Sequence, residues 1–286
     1  VWKNIKRSDD PATFAKAQIN VGQIYHQNND ALSALSAWNS ILLTDHNEVY
    51  ANAQFNIGHE FQVREDIDGA LNIWSEIKRT DHPTFYAMAQ FNIGATLRKR
   101  NNNEGALVAW RNIARSDDSE SFAKAKFSIG IILNEQNRKD AALTEWGSVY
   151  RKDDNEIFAQ AQFNIGCELS NRDDSQGAFS AWDNIERSDN PEIYARARTR
   201  IGFLLEKRQD HKGAVTEWSK IERSDDAEAY AVAQANIGYL SFNTPTVAKK
   251  AFLCIRETDN PRVYAHAQFK LGLMNITLKK QKNRLM

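Results

Sequence analysis

Ala87-Met-Ala-Gln-Phe-Asn-Ile-Gly94, followed sixteen residues later by Trp110, is the stretch that decides the fold. The same pattern returns along the whole chain. Gly22, Gly58, Gly94, Gly130, Gly166, Gly202 and Gly238 stand 36 residues apart, and Gly272 follows after 34. Trp2, Trp38, Trp74, Trp110, Trp146, Trp182 and Trp218 keep the step of 36, and Phe252 takes the next place. A fixed period of about 20 to 50 residues marks a solenoid, whose units bury their apolar faces against their neighbours.

Within one period the pattern is helical twice over. Ala87, Phe91, Gly94 and Leu97 fall at spacings of four, three and three, with Ala89 and Ile93 beside them. That is one broad apolar face of a helix running from Phe85 to about Arg100. Asn101-Asn-Asn-Glu-Gly105 breaks it, and Ala106, Trp110 and Ile113 begin a second amphipathic helix. The connection is short enough to fold the two helices antiparallel. Gly94 and Gly105 predict places where a side chain would obstruct the crossing, because a helical glycine otherwise costs about 0.5–1 kcal/mol relative to alanine.

The junctions between repeats are as regular as their interiors. Asp9, Asp45, Asp81, Asp117, Asp153, Asp189, Asp225 and Asp259 form one column. Pro11, Pro83, Pro191 and Pro261 follow two residues after their aspartates. Proline suits the first helical position, where its missing N–H would have no partner, and Asp10, Asn190 and Asn260 before it are good N-caps. Arg7, Arg79, Arg115, Arg151, Arg187 and Arg223 stand two residues before the aspartates, predicting an Arg–Asp ladder of surface pairs at about 0–1 kcal/mol each.

These spacings predict a single repeat domain over 1–286. A half repeat covers 1–10, and full repeats cover 11–46, 47–82, 83–118, 119–154, 155–190, 191–226 and 227–260. A terminal half repeat and basic tail occupy 261–286. The last full repeat is two residues shorter in its inner turn, as expected of a terminal unit. Val1-Trp-Lys-Asn-Ile-Lys-Arg7 matches the second half of a repeat, so the chain opens mid-repeat and reads as a piece of a longer protein.

Composition narrows the function. The chain has 286 residues, 42% of them hydrophobic, which is ample for an ordered core. Lys+Arg and Asp+Glu both number 37, a formal net charge of zero that argues against nucleic acid and against an acidic membrane surface as partners. No apolar run reaches the ~18–20 residues of a membrane span. Two distant cysteines, Cys167 and Cys254, fit a reducing, cytoplasmic setting, with delivery as an effector left open. The sequon Asn275-Ile-Thr277 reads as a chance match.

The order Ile93-Gly94, then Ala106, then Trp110 resembles the tetratricopeptide-repeat superfamily, and Ala-Gln-Phe-Asn-Ile-Gly is similar to the first helix of its SEL-one-like relatives. The resemblance covers essentially the whole chain. It departs where Gln54, Gln90, Gln162, Gln234 and Gln268 replace the family's large aromatic, and where the inter-repeat turn is two residues longer. It implies an all-α, right-handed superhelical α-solenoid of about seven full helix-turn-helix repeats plus a half repeat at each end.

No phosphate loop, metal-type His/Cys cluster or nucleophile elbow is present, so the expectation is a non-enzyme without a cofactor. The tryptophans read as core between second helices rather than stacking platforms. By resemblance, ligand contacts come from variable first-helix positions on the concave face. Those positions are His26, His59, Gln62, Arg98, Lys99, Lys124, Asn134, Asn171, Arg196, Phe203, Lys207, Tyr239 and Phe242. Their excess of basic residues predicts a mildly positive groove suited to an acidic or polar peptide. Phe203, Tyr239 and Phe242 form an apolar anchor, weighed evenly against burial under the shortened last repeat. The preferred function is a scaffold that binds a partner protein or peptide. The alternatives are pentatricopeptide-like nucleic-acid binding, or the recognition arm of an enzyme or effector whose catalytic domain lies upstream.

Overall fold

A computed structural model describes residues 2–284, with side chains described through Ile276 except that of Lys3. After a short 3-10 turn at Trp2–Asn4, every regular element among the described residues is an α-helix. The first helices of the repeats are α1 (Pro11–Gln27), α3 (Asn47–Val63), α5 (Pro83–Lys99), α7 (Ser119–Glu135), α9 (Asn155–Asn171), α11 (Pro191–Lys207) and α13 (Ala227–Leu240). Their partners are α2 (Ala31–Asn39), α4 (Ile67–Glu76), α6 (Asn103–Arg111), α8 (Lys139–Gly147), α10 (Ser175–Asp183), α12 (His211–Ser219) and α14 (Pro245–Leu253). A last first-type helix, α15, spans Pro261–Arg284. The basic stretch Lys279–Arg284 continues α15 as backbone, but its side chains, and that of Thr277 in the sequon, lie outside the described side chains. The chain divides into two compact units, Val1–Ser148 and Val149–Met286. Each is a row of antiparallel helical hairpins.

Local chemistry sets the helix ends. Pro11, Pro83, Pro191 and Pro261 each occupy the first helical position. The Asp10, Asn190 and Asn260 side chains accept backbone N–H groups of the following first turn, whereas His82 caps α5 without a side-chain bond. Inside the hairpins, Asn29, Glu65, Asn101, Asn137, Asp173 and Gln209 adopt the left-handed conformation, with φ between 59° and 64°. Each lets the chain reverse and places the next residue as N-cap of the second helix. Four of the six are Asn or Asp, the non-glycine residues that tolerate this region best. Gly105 lies in the first turn of α6, where an added Cβ would meet Leu97 of α5 at 3.0 Å, so a side chain there would crowd the first helix as predicted. Its N–H binds the Asn102 cap, and an added Cβ would come within 2.9 Å of that side chain.

The Gly–Trp pairing is the lock of each hairpin. Trp38, Trp74, Trp110, Trp146, Trp182 and Trp218 are at most 2% exposed. Each lies against the column glycine of its own first helix, so close that an added Cβ would fall under 3.0 Å from the indole. The indole N–H donates to the carbonyl three residues before that glycine, as Trp110 does to Phe91 at 3.1 Å and Trp182 to Phe163 at 3.2 Å. The tryptophans were expected to join second helices to one another. They instead clamp first helix to second, and Trp182 and Trp218 share a core cluster with Ala197 and Ala233 of the following first helix. The reason is geometric: glycine removes the only side chain that would hold the helices apart at their crossing.

The Arg–Asp ladder forms, but with buried acceptors. Arg7–Asp45, Arg79–Asp117, Arg151–Asp189, Arg187–Asp225 and Arg223–Asp259 pair at 2.7–3.1 Å. The carboxylates are only 2–5% exposed at the side chain. Each also closes its own turn by accepting a backbone N–H three residues earlier, as Asp189 does from Glu186. The same guanidinium stacks on the aromatic seven residues ahead, Arg7 on Phe14 and Arg187 on Tyr194 among them. It also donates to the carbonyl that ends the next second helix, as Arg115 does to Ser148 and Arg187 to Lys220. Surface pairs of about 0–1 kcal/mol are thus replaced by partly desolvated ones with three kinds of contact.

Candidate interaction face

The first helices carry the packing columns on one side and variable side chains on another. In the unit Val1–Ser148 the variable positions divide into several local clusters. His26 sits half-buried against Trp38, with ring centroids 5.9 Å apart, and edge-on to His59 at 6.4 Å. Its Nδ1 lies 3.0 Å from Oε2 of Glu60, whose side chain is only 5% exposed. Gln23, His26, Trp38, Phe55, Asn56 and His59 line a cavity of about 260 Å³. Gln62 donates to the Thr96 hydroxyl at 3.2 Å and so links α3 to α5.

Further along the same unit the basic positions are mostly spoken for. Arg98 pairs with Glu135 at 2.8 Å, 37 residues on, and Lys124 binds Glu120 one turn earlier in α7. Asn134 accepts a hydrogen bond from Lys139 at 2.7 Å. Lys99 is exposed at the end of α5.

In the unit Val149–Met286 two cavities flank Phe203. The first, about 380 Å³, lies between α9, α10 and α11 and brings Asn171, Phe203 and Lys207 together with Cys167, Trp182 and Arg200. The second, about 460 Å³, lies between α9, α11 and α13 and joins Arg196 and Phe203 to Arg200 and Val232. Arg196 stacks over Phe163 at 4.8 Å with Glu192 at 3.9 Å, and Lys207 lies 3.8 Å from Asp173. Burial raises the pKa of the Cys167 thiol, and Arg200 and Arg196 oppose that shift.

Phe203, Tyr239 and Phe242 stay open to solvent, at 40%, 37% and 44% exposure. Neither of the two cavities around Phe203 includes Tyr239 or Phe242. Phe203 meets Trp218 edge-on at 5.5 Å, and Tyr239 meets Phe252 at 5.4 Å. In two earlier repeats the ring beside the tryptophan comes from the phenylalanine column, Phe55 for Trp74 at 6.5 Å and Phe91 for Trp110 at 6.2 Å. That column holds Thr199 and Ala235 in the repeats of Trp218 and Phe252, so Phe203 and Tyr239 supply the missing ring from one turn later.

Two features escaped the sequence reading. One is that several cations of the face have carboxylates close by, so the groove is less positive than a residue count implies. The other is Arg200, which lines both cavities. Its column holds Asn20, Asn56, Asn92, Asn164 and Asn236 in other repeats, and the break in that column was the available signal. Among the described residues no group of three or more His, Cys, Asp or Glu side chains is placed to hold a metal ion. No described helix is long and apolar enough to cross a membrane.

No protein-family model matches the sequence, and no curated protein matches it. Solved structures do. The C-terminal part of a TPR repeat-containing protein from Cytophaga hutchinsonii is 14% identical with a TM-score of 0.59, over 85% of this chain and 95% of that one. PilF of Pseudomonas aeruginosa is 15% identical with a TM-score of 0.50, over 78% of this chain and 99% of that one. At these identities the likeness speaks for the fold alone. Helical hairpins repeating at a 36-residue period, with this structural likeness, show a tetratricopeptide-like helical-repeat fold.

Proposed function

We propose that the chain is a non-catalytic protein-interaction scaffold that holds a segment of a partner protein across the variable face of its first helices. The observation that carries this reading is the division of labour in each repeat. Glycine, tryptophan, alanine and the Arg–Asp ladder do the packing, while the neighbouring first-helix positions differ from repeat to repeat and line the cavities at His26/His59 and around Phe203. Within each unit the first helices set such positions side by side, an arrangement suited to an extended peptide segment.

The fold relatives have the scaffold architecture, which supports a protein ligand over a small molecule. The near balance of charge on this face and a net charge of zero weigh against phosphate-driven nucleic-acid binding. The test is co-purification with mass spectrometry, then hydrogen–deuterium exchange of the reconstituted pair. Protection is expected on α3, α5, α9 and α11. Protection confined to the second helices would reject the reading, as would unchanged affinity after charge reversal at Arg98, Lys99 and Lys124 together with Phe203→Ala.

A further inference from the structure

We propose that the cavity between α9, α10 and α11 is an anchor site for a bulky apolar side chain lying next to a carboxylate in the partner segment. This rests on the scaffold reading and deepens it. The cavity, about 380 Å³, is lined by Cys167, Trp182, Phe203 and Leu204 as its apolar part, by the neutral polar Ser170, Asn171 and Ser175, and by the cations Arg200 and Lys207. No carboxylate lines it. Leu or Phe is the size of side chain that such a space accepts, and burying either supplies the main attraction of an anchor.

The charge argument turns on Arg200. The other arginines of this face have acidic neighbours, Glu135 for Arg98 and Glu192 for Arg196. Among the described residues the Arg200 guanidinium makes neither a hydrogen bond nor an ion pair. Arg200 also departs from the asparagine found at Asn20, Asn56, Asn92, Asn164 and Asn236 of its column. Set three residues before Phe203 on α11, it shares a helix face with that ring. A guanidinium beside apolar side chains forms a stronger bond to an incoming carboxylate than one in open water, because part of its surroundings is already dry.

The neighbouring cavity supplies the contrast. It is lined by Glu192, Asp226 and Glu228 as well as Arg196 and Arg200, so an acid placed there meets like charge. The acidic group of the partner is therefore directed to the α9/α10/α11 side of Phe203.

The test uses the full chain with four probes: Ac-Asp-Phe-NH2, Ac-Asn-Phe-NH2, Ac-Asp-Ala-NH2 and the oligonucleotide rU8. Binding is read from the methyl NMR signals of Leu204. Ac-Asp-Phe-NH2 is expected to shift them saturably. The Asn and Ala analogues are expected to bind about fivefold more weakly or worse, the worth of one partly exposed charge-assisted bond or of the lost ring. Arg200→Gln, at an exposed position, should keep the circular dichroism melt. It should abolish the preference for Asp over Asn while sparing the preference for Phe over Ala. Three results would overturn the proposal: equal binding of the Asp and Asn probes to the unmodified chain, an Asp preference that survives Arg200→Gln, or no response of Leu204 to any dipeptide. Tighter binding of rU8 at the same signals would also overturn it and assign the face to nucleic acid. Failure here would leave the scaffold reading intact wherever exchange protection by a whole partner persists on α3 and α5.

Discussion

Gly166→Ala and Gly272→Ala occupy the same column and are predicted to change stability in opposite directions. In both, alanine gains roughly 1 kcal/mol of helix propensity over glycine. At Gly166 the added methyl would meet Cε2 of Trp182 at 2.6 Å, far inside ordinary carbon–carbon contact. The indole cannot simply retreat, because it is 2% exposed and packed against Ile193, Ala197 and Ile201. Overpacking of this kind costs about 1–3 kcal/mol. Displacing the ring also weakens its 3.2 Å bond to the Phe163 carbonyl, worth about 1 kcal/mol. The net expectation is a loss of about 1–3 kcal/mol. At Gly272 nothing lies within 4 Å of the added methyl, so only the propensity gain remains and the variant is stabilised by up to about 1 kcal/mol. Urea titration followed by far-ultraviolet circular dichroism reads both through the midpoint at constant slope. A third variant sharpens the test: on a Trp182→Leu background, Gly166→Ala should become neutral or stabilising because the obstructing ring is gone. A Gly166→Ala chain as stable as its parent, or a Gly272→Ala chain as weak as Gly166→Ala, would refute the steric account of the column.

Two further predictions follow from gaps and substitutions in the packing columns. Leu43 stands where the ladder requires arginine, with Asp81, Tyr50 and the Glu76 carbonyl in the places that accept the guanidinium elsewhere. Leu43→Arg should stabilise the chain by roughly 0.5–1 kcal/mol in the same urea assay. Burial, then Asp81 and Glu76, now raises the Tyr50 pKa, and the new cation should bring it back toward its ordinary value in an ultraviolet titration. An unchanged Tyr50 titration would show that the arginine had not docked. Arg198, with its side chain 8% exposed, holds Asp183 at 2.6 Å and Glu217 at 3.0 Å, and its pKa is raised despite burial. Arg198→Gln alone should cost about 1–3 kcal/mol, because the largely buried Glu217 keeps only Lys220 at 2.6 Å, whereas Arg198→Gln with Glu217→Ala, the pair found as Gln162 and Ala181 in the repeat before, should recover most of that loss. Additive losses in that double-mutant cycle would mean the two residues are not coupled.

How much of this was legible in the sequence depends on the range of each interaction. The hairpins, their starting prolines and the glycine at each helix crossing could be read because they recur at one period and rest on contacts within a single repeat, whereas the tryptophan column was read as packing between second helices and its place against that glycine emerged only in the fold. The ladder was legible as a spacing, but its strength was not: Asp189 is buried by the turn it closes and by the preceding repeat, which a linear pattern does not display. The charge of the interaction face was misjudged for a related reason. Arg98 was counted as a free cation because its partner, Glu135, lies one repeat and one residue further along, at a position with no reason to be paired until the helices are stacked. Phe203 and Tyr239 were picked as exceptions to the pattern, yet each fills the space beside Trp218 or Phe252 left by Thr199 or Ala235.

That last point supplies a criterion for separating packing from recognition in a repeat protein. Departures from the columns that arise from packing come in compensating pairs. Lys126 replaces glutamine and Glu145 appears nineteen residues later, 2.7 Å away; Arg198 replaces glutamine and Glu217 appears at the same separation. The loss of a phenylalanine at Thr199 is matched by the gain of Phe203. Each pair satisfies itself inside the molecule, because a buried charge or a void left unanswered would cost several kcal/mol. Arg200 breaks its column without forming an ion pair among the described residues, and it does so at the rim of two cavities, one of them free of carboxylates and the other shared with Glu192, Asp226 and Glu228. A departure that the fold does not compensate, placed where solvent now stands in for a partner, is the kind that binding rather than folding accounts for.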